Sequence, residues 1–511
     1  MSIPLVGRIS MHEWPFVILS LVISWSEYLI SIITQILPYQ VIDFFTNTTK
    51  VVYKQTSNPI NLIRSLVTSD VDNGEDVVKY KYYKYENNLG ETPEAYERMI
   101  DMINSDNIQE MVALFGYEVE SRVIQTQDNY FLTLHRLVKP NDDVPRNGRT
   151  VYLHHGLLMS SEIWVTMLNK NQNLPFVLYE LGYDVWMGNN RGNKYSQKHL
   201  FYSISSEAFW DFSLDEFALF DIPNSIEYIV SATQCEKITY IGFSQGTAQI
   251  FAALSINQTL HEKIDQIIAI SPATTPQGLH SKFLDTFLKS SPILMYLIFS
   301  RKILMPSVNF WRRIMYPPLF STMIDMSNYL LFEWKSENIT KFQKLSSYAH
   351  LYSTTSVKTV VHWFQIMSSK NFQMYHESSS RFSHSAPVSY PLHTVKVPIH
   401  LIYGSTDSLV DIDVMMSQLP AKYTTAHAVP GHEHLDNLWG YDVDKRVFNF
   451  VLQYLDEPDA DIPASQIKPS ERHRNYLTSS PDDITLIPPQ THTSSLSVTP
   501  RKPTSAGSLF V

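Results

Sequence analysis

The chain has one cysteine, Cys235, in 511 residues. A single thiol excludes an internal disulfide and points to a reducing compartment for the catalytic part, since secreted chains of this size commonly use such bonds. Three N-x-[ST] sequons, at Asn47, Asn257 and Asn338, point the other way, but such triplets are frequent by chance. Basic charge is also in short supply: 40 Lys and Arg stand against 50 Asp and Glu, a net charge of −10. No compact basic cluster offsets it, which disfavours nucleic acid as a partner. The zinc pattern HExxH is missing, and the pair His432-x-His434 has no third ligand at metal-site spacing, so neither a metal nor another cofactor is expected. There is no internal repeat. With 44% hydrophobic and 18% charged residues the chain can bury a large core, and its strand pattern predicts one catalytic domain with attachments.

What is present is a pentapeptide, Gly242-Phe243-Ser244-Gln245-Gly246. It follows the β-branched and aromatic run Lys237–Ile241 and opens the helical pattern Thr247–Leu254. Strand, sharp turn and helix are the setting of a nucleophile elbow, in which a serine held in a strained conformation exposes its hydroxyl. The flanking Gly242 and Gly246 are needed where a Cβ would meet neighbouring backbone. Ser244 is therefore the candidate nucleophile.

A serine needs a base at neutral pH, and in this fold an acid and then a histidine follow the nucleophile along the chain. The run Val397–Tyr403 reads as a buried strand and ends in Gly404–Asp407, making Asp407 the candidate acid. Asp411 and Asp436 are fallbacks, the first about a helical turn too late and the second better suited to bracing a loop. A further strand, Tyr423–Val429, breaks at Pro430-Gly431 and leads to His432 and His434; His434 is the chosen base. It would take the Ser244 proton, return it to the leaving alcohol and then activate water, while Asp407 fixes the imidazole tautomer. The oxyanion would be held by two backbone N–H groups. Gln245 supplies one, and Leu157, after the strand Thr150–His154 and Gly156, supplies the other.

Outside the hydrolase, Pro15–Leu37 is nearly uncharged, interrupted only by Glu27. About 23 residues can span a bilayer, and Glu27 makes a hairpin or monolayer insertion equally suitable. The stretch is too long for a signal peptide and lacks small residues at a cleavage point. The expected organisation is an anchor (1–40), a polar N-terminal region or linker (41–106), the first part of the core (107–271), a largely helical cap (272–390), the second part of the core (391–455) and a disordered Ser/Thr/Pro-rich tail (456–511). The cap is rich in aromatic residues and methionine, among them Phe283, Phe287, Met295, Trp311, Phe320, Met323 and Met326. Most of these are expected to form the cap's own core, with the surplus facing the site or a lipid surface. Asn190, Arg191 and Gly192 read as a loop lock, with Asp215 and Glu216 as partners for Arg191.

The ordered segments Tyr117–Asp128, Tyr152–Leu158, Gly182–Gly192, Phe209–Glu216, Gly242–Gly246 and His434–Asp436 resemble the acid lipase family of α/β-hydrolases, over about 350 residues. That family includes gastric and lysosomal lipases and fungal steryl ester hydrolases. The resemblance implies an α/β fold with a mostly parallel central sheet flanked by helices, the triad Ser244, Asp407 and His434, and an oxyanion hole at Leu157 and Gln245. The chain departs from the family at His154, where Gln is frequent, and at His432, a second histidine beside the base. The anchor, lone cysteine and tail look most like the fungal lipid-droplet enzymes. The expectation is a steryl ester hydrolase, acting on neutral lipids at a lipid droplet or endoplasmic reticulum membrane from the cytosolic side. The rival with the same triad is a triacylglycerol lipase, and the rival of another class is a non-catalytic lipid-binding or tethering protein.

Overall fold

The computed structural model describes residues 22, 25, 26, 29, 39–57, 93–140, 144, 146–281, 285, 295, 296, 299–304, 306–377 and 387–456. The tail lies outside these residues, as does the apolar run 15–37 apart from four isolated positions. No helix among the described residues is long and apolar enough to cross a membrane.

Among the described residues nine strands form one sheet. They are β1 Glu118–Gln125, β2 Tyr130–Val138, β3 Thr150–His154, β4 Asp184–Met187, β5 Lys198–His199, β6 Ile238–Phe243, β7 Ile264–Ile270, β8 Ile399–Gly404 and β9 Thr424–Val429. The order is β1-β2-β4-β3-β6-β7-β8-β9, with β5 added to β2. From β4 to β9 every pairing is parallel, whereas β2 is antiparallel to both β1 and β4. Parallel strands need helical crossovers, so both faces become covered and the central strands read as unbroken apolar runs; every residue of β3 and β6 is buried. The edge strand β1 instead carries Glu118, Glu120 and Arg122, charges that oppose pairing with another chain.

Alternate side chains enter two separate cores, as the two-residue period of a strand requires. Val151, Leu153, Ile241, Phe243, Ile268, Ile270 and Ile402 pack on one face. Tyr152, Tyr240, Ile267, Ala269, Ile399 and Leu401 pack on the other. Each such side chain is worth about 1.5–3 kcal/mol when fully buried, so a register slip in a central strand would exchange the two sets and lose most of that gain.

Among the described residues the α-helices of four or more residues are α1 Tyr39–Ser57, α2 Pro93–Asn104, α3 Ile108–Ala113, α4 Leu174–Glu180, α5 Ile222–Thr233, α6 Gln245–Ile256, α7 Val308–Ile314, α8 Pro317–Phe332, α9 Lys341–Ala349, α10 Val357–Ser369, α11 Ile412–Gln418, α12 Asp436–Trp439 and α13 Asn449–Asp456. α7 to α10 belong to the region read as a cap. α8 starts at a Pro317-Pro318 pair, suited to a first turn that has no N–H partner, and stops where Glu333 turns left-handed at φ 63°. Thr340 and Ser356 cap α9 and α10 by accepting from Gln343 and Thr359 N–H.

The cap keeps one small core, in which Met295, Leu304, Val357 and Val361 pack with Tyr296 and Phe299, and shares its other buried side chains. Ile314, Met315, Phe320, Ile324 and Trp334 join the core on one face of the sheet, and Trp363, Ile366 and Met367 of α10 join the other. The expectation of a core belonging to the cap holds for that cluster and not for these residues, while Trp311, Met323 and Met326 are exposed; of the named cap residues, Phe283 and Phe287 lie outside the described residues. The region 41–106, read as polar linker, contains most of α1 and α2. Met99 of α2 packs with Phe342 and Leu345 of α9, and Thr49 of α1 accepts from the N–H of Tyr316 at 3.0 Å.

Candidate active site

β6 ends in the elbow. Ser244 sits at φ 52°, ψ −119°, between the strand and α6, and its N–H donates to Ile270 O at 3.0 Å. For a residue with a Cβ this conformation costs about 1–3 kcal/mol, which the surrounding packing must impose. A Cβ on Gly246 would lie 2.5 Å from His154 O and 2.8 Å from His155 O, and one on Gly242 would lie 2.9 Å from Thr247 N. Larger residues at either position would push α6 off the sheet. From beneath, the Tyr240 hydroxyl donates to Gly246 O at 2.8 Å.

The strand ends of β8 and β9 bring Asp407 and His434 together. His434 Nδ1–H donates to Asp407 Oδ2 at 2.6 Å, and both side chains are buried. Asp407 Oδ1 also accepts from Leu409 N–H at 3.0 Å, which fixes the carboxylate plane. The imidazole lies beside the elbow, its ring 5.2 Å from that of Phe243. Its backbone is tied there by the Ser271 hydroxyl, which donates to His434 O at 2.8 Å.

The other candidates are occupied elsewhere. His432 places Nδ1 3.0 Å from Asn437 Oδ1 and Nε2 3.0 Å from Asp442 Oδ1, so neither nitrogen is available as a base. Asp411 caps α11 by accepting from Val414 N–H. Asp436 accepts from Glu433 N–H at 2.7 Å and from Asn338 at 2.9 Å, bracing the histidine loop. No group of three or more metal-ligating side chains occurs among the described residues.

The loop after β3 lies against the serine: a Cβ on Gly156 would be 3.2 Å from Ser244 Cβ. Leu157 follows Gly156 in this loop, and the Gln245 N–H opens α6, at the positive end of the helix dipole. Beneath the loop, His154 accepts from the Tyr152 hydroxyl at 2.9 Å and donates to Asn190 at 2.8 Å. His155 donates to Gly156 O at 2.8 Å and accepts from Asn190 N–H and Asn193, both at 3.2 Å. Burial lowers the pKa of His154 to about 4 and of His155 to about 3. Both rings are neutral hydrogen-bond relays, and His154 can thus stand where a glutamine is more usual.

Arg191 is buried and paired with Asp221, at 2.6 Å, and with Asp128, at 2.5 Å. Burial opposes its charge, but the two carboxylates outweigh that and raise its pKa. The expected partners Asp215 and Glu216 are engaged differently: Asp215 accepts from Tyr375 N–H and the Tyr390 hydroxyl, and Glu216 closes a capping box with Ser213. One π-helical turn, Phe217–Asp221, carries Asp221 to the arginine instead.

Two features carried no sequence signal. Glu162, just after the oxyanion loop, is buried against Lys194 at 2.6 Å, His350 at 3.3 Å and the Tyr195 hydroxyl. Burial alone would raise its pKa, but His350 and Lys194 outweigh it and hold it at about 2. Trp363 of α10 donates its indole N–H to the Gln245 side chain at 2.7 Å, so the cap reaches the residue beside the nucleophile. Ser353 N–H likewise donates to Leu158 O at 2.6 Å.

Comparison with known proteins agrees with this arrangement. Residues 149–441 match the family described as alpha/beta hydrolase fold, and residues 108–168 match the partial alpha/beta-hydrolase lipase region. A Schizosaccharomyces pombe protein named "Probable lipase" is 43% identical over 74% of this chain and 85% of its own length. The gastric triacylglycerol lipase of Homo sapiens is 32% identical over 69% of this chain and 91% of its own. The lysosomal acid lipase/cholesteryl ester hydrolase of Macaca fascicularis is 30% identical over 68% and 90%. With the elbow, the strand-end pair and the loop after β3 in their places, this chain belongs to the acid lipase family of α/β-hydrolases and is a serine carboxylic ester hydrolase.

Proposed function

We propose that the chain hydrolyses neutral lipid esters through an acyl-enzyme on Ser244. The observation that carries this reading is the 2.6 Å contact between Asp407 and His434, both buried, beside a serine held at φ 52°. His434 Nε2 takes the hydroxyl proton as Oγ bonds to the ester carbon, and the carbonyl electron pair moves onto oxygen, facing the Leu157 and Gln245 N–H groups. Collapse breaks the bond to the alcohol, which leaves with the proton from His434. Water, deprotonated by the same ring, then releases the fatty acid and restores Ser244. Asp407 stabilises the imidazolium in both halves and remains ionised.

Among neutral esters we favour steryl esters. The reading is supported by the relative named for cholesteryl ester hydrolysis and by the likeness to fungal steryl ester hydrolases. Triacylglycerol is the second reading, supported by the gastric relatives. A lipid surface as partner is supported by exposed apolar side chains on three elements: Phe44, Phe45, Val51 and Val52 of α1, Leu200, Phe201, Tyr202 and Ile204 after β5, and Met323, Met326, Tyr329 and Leu330 of α8. β5 pairs with the start of β2, which is antiparallel to β4, so the Leu200–Ile204 loop lies beyond the carboxyl ends of the parallel strands, on the catalytic side. With the apolar run 15–37 preceding α1, the site would face a droplet or endoplasmic reticulum membrane from the cytosol, in keeping with the free Cys235.

The test is hydrolysis of emulsified cholesteryl oleate against triolein by the detergent-solubilised chain, with Ser244→Ala as blank. Faster release from cholesteryl oleate supports the steryl ester reading. Equal or faster release from triolein makes the chain a triacylglycerol lipase with the same chemistry.

A further inference from the structure

We propose that Trp334, which follows α8 in the cap, is a positioning residue for the His434 imidazole. The inference rests on the acyl-enzyme reading and is independent of which ester is cleaved. Asp407 holds one edge of the imidazole, but a single hydrogen bond leaves the ring free to rotate about it. Two aromatic rings pack beside the imidazole. Phe243 lies tilted to it at 5.2 Å, and the indole of Trp334 stacks on the ring at 5.0 Å with only 6° between the planes. Phe332 stacks in turn on Trp334 at 4.4 Å.

The cap segment bearing this indole is fastened to the loops that carry the acid and the base. The Ser408 hydroxyl, next to Asp407, donates to Phe332 O at 2.6 Å. The Glu433 carboxylate, next to His434, accepts from Lys335 N–H at 2.9 Å and Ser336 N–H at 2.8 Å. Asn338 donates to Gly431 O at 2.8 Å and to Asp436 at 2.9 Å, and its carbonyl accepts from Tyr441 N–H at 2.9 Å. Residues 332–338 are therefore a fixed wall of the site. The stack sets an indole face beside the imidazolium that forms during each acyl transfer, an attraction of the cation–π kind.

A ring that positions the base must affect turnover of every ester, including one too small to need a lipid pocket. The test uses the full chain and p-nitrophenyl butyrate. Misplacement of a catalytic group by about 1 Å can cost roughly 100-fold in rate, so Trp334→Leu is expected to lose about 10–100-fold in kcat with KM within about twofold. Trp334→Phe, which keeps a ring face, is expected to recover most of that loss. Glu433→Ala leaves the indole in place and cuts two ties; it is expected to lower kcat several-fold at unchanged KM, and it decides the matter if Trp334→Leu does not fold. Unaltered kcat in the folded variants, or a rise in KM confined to long-chain esters, would overturn the proposal and leave Trp334 a pocket wall. Ser244→Ala separates this outcome from failure of the acyl-enzyme reading, because it is inactive whenever that reading holds.

Discussion

Replacing Asp407 by Asn keeps the shape of the side chain and removes its charge. In the transition state His434 becomes a cation 2.6 Å from that carboxylate, with both side chains shielded from water. At an effective dielectric constant of about 20, opposite unit charges at this separation attract by about 6 kcal/mol. At about 1.4 kcal/mol per tenfold in rate, losing most of that attraction lowers kcat by about 10⁴. KM should stay within a few-fold, because the neutral imidazole of the ground state draws little from the charge. The bond from Leu409 N–H can persist to the amide oxygen, so the melting temperature should move by only a few degrees. The assay is initial-rate kinetics on p-nitrophenyl butyrate with melting curves, run beside Asp411→Asn. Asp411 only caps α11 and bonds Gln277, so its substitution should cost at most about 1 kcal/mol of stability and leave kcat as it was. Retention of more than a tenth of kcat by Asp407→Asn, or a collapse of kcat in Asp411→Asn, would refute the assignment.

Glu162→Gln leaves Lys194 and His350 without their carboxylate and should lower stability at pH 7 by about 3 kcal/mol, since the folded pKa near 2 lies about 2.5 units below the ordinary 4.5. That depressed pKa stabilises the fold above pH 4.5 and ceases to do so as pH falls from 4.5 toward 2, so denaturant melts of the two proteins should converge on acidification; a constant gap would refute the linkage. Gly246→Ala puts a methyl 2.5 Å from His154 O, and we expect a stability loss of about 1–3 kcal/mol with a fall in kcat as the oxyanion loop is displaced; a variant with native melting and kcat would show that the loop yields freely. Trp363→Phe leaves the Gln245 side chain without its donor at a cost of about 1–3 kcal/mol, measurable by urea unfolding, and an unchanged midpoint would mean that the bond contributes little. Removing residues 1–40 should release the chain from membranes while preserving hydrolysis of dispersed short esters, and sedimentation with membranes after the deletion would assign attachment to the exposed apolar elements instead.

The elbow was legible because its signal is local: a β-branched strand, glycines where Cβ atoms would collide, and a helix within a few residues. Asp407 and His434 were legible because they end strands in the chain order that the sheet requires. His432 could not be separated from His434 by spacing alone; the structure separates them by giving both His432 nitrogens to Asn437 and Asp442. The partners of Arg191 were misread because a π-helical turn advances Asp221 past the register that an ordinary helix would give. Glu162, Trp334 and Trp363 had no local pattern to betray them. Their partners lie 188, 100 and 118 residues away in the chain, and only the folding of the cap onto the sheet brings them together. The same long-range contacts divide the cap's buried apolar residues between a small core of its own and the two cores of the sheet, a division that composition does not show.

The most direct test of the account is the site of covalent capture. The purified full chain is treated with a fluorophosphonate, its residual esterase activity is followed, and the adduct is located by peptide mass spectrometry. The account predicts one adduct, on Ser244, accumulating in proportion to lost activity and absent from Ser244→Ala. An adduct on another residue, or full activity in a chain labelled at Ser244, would contradict it.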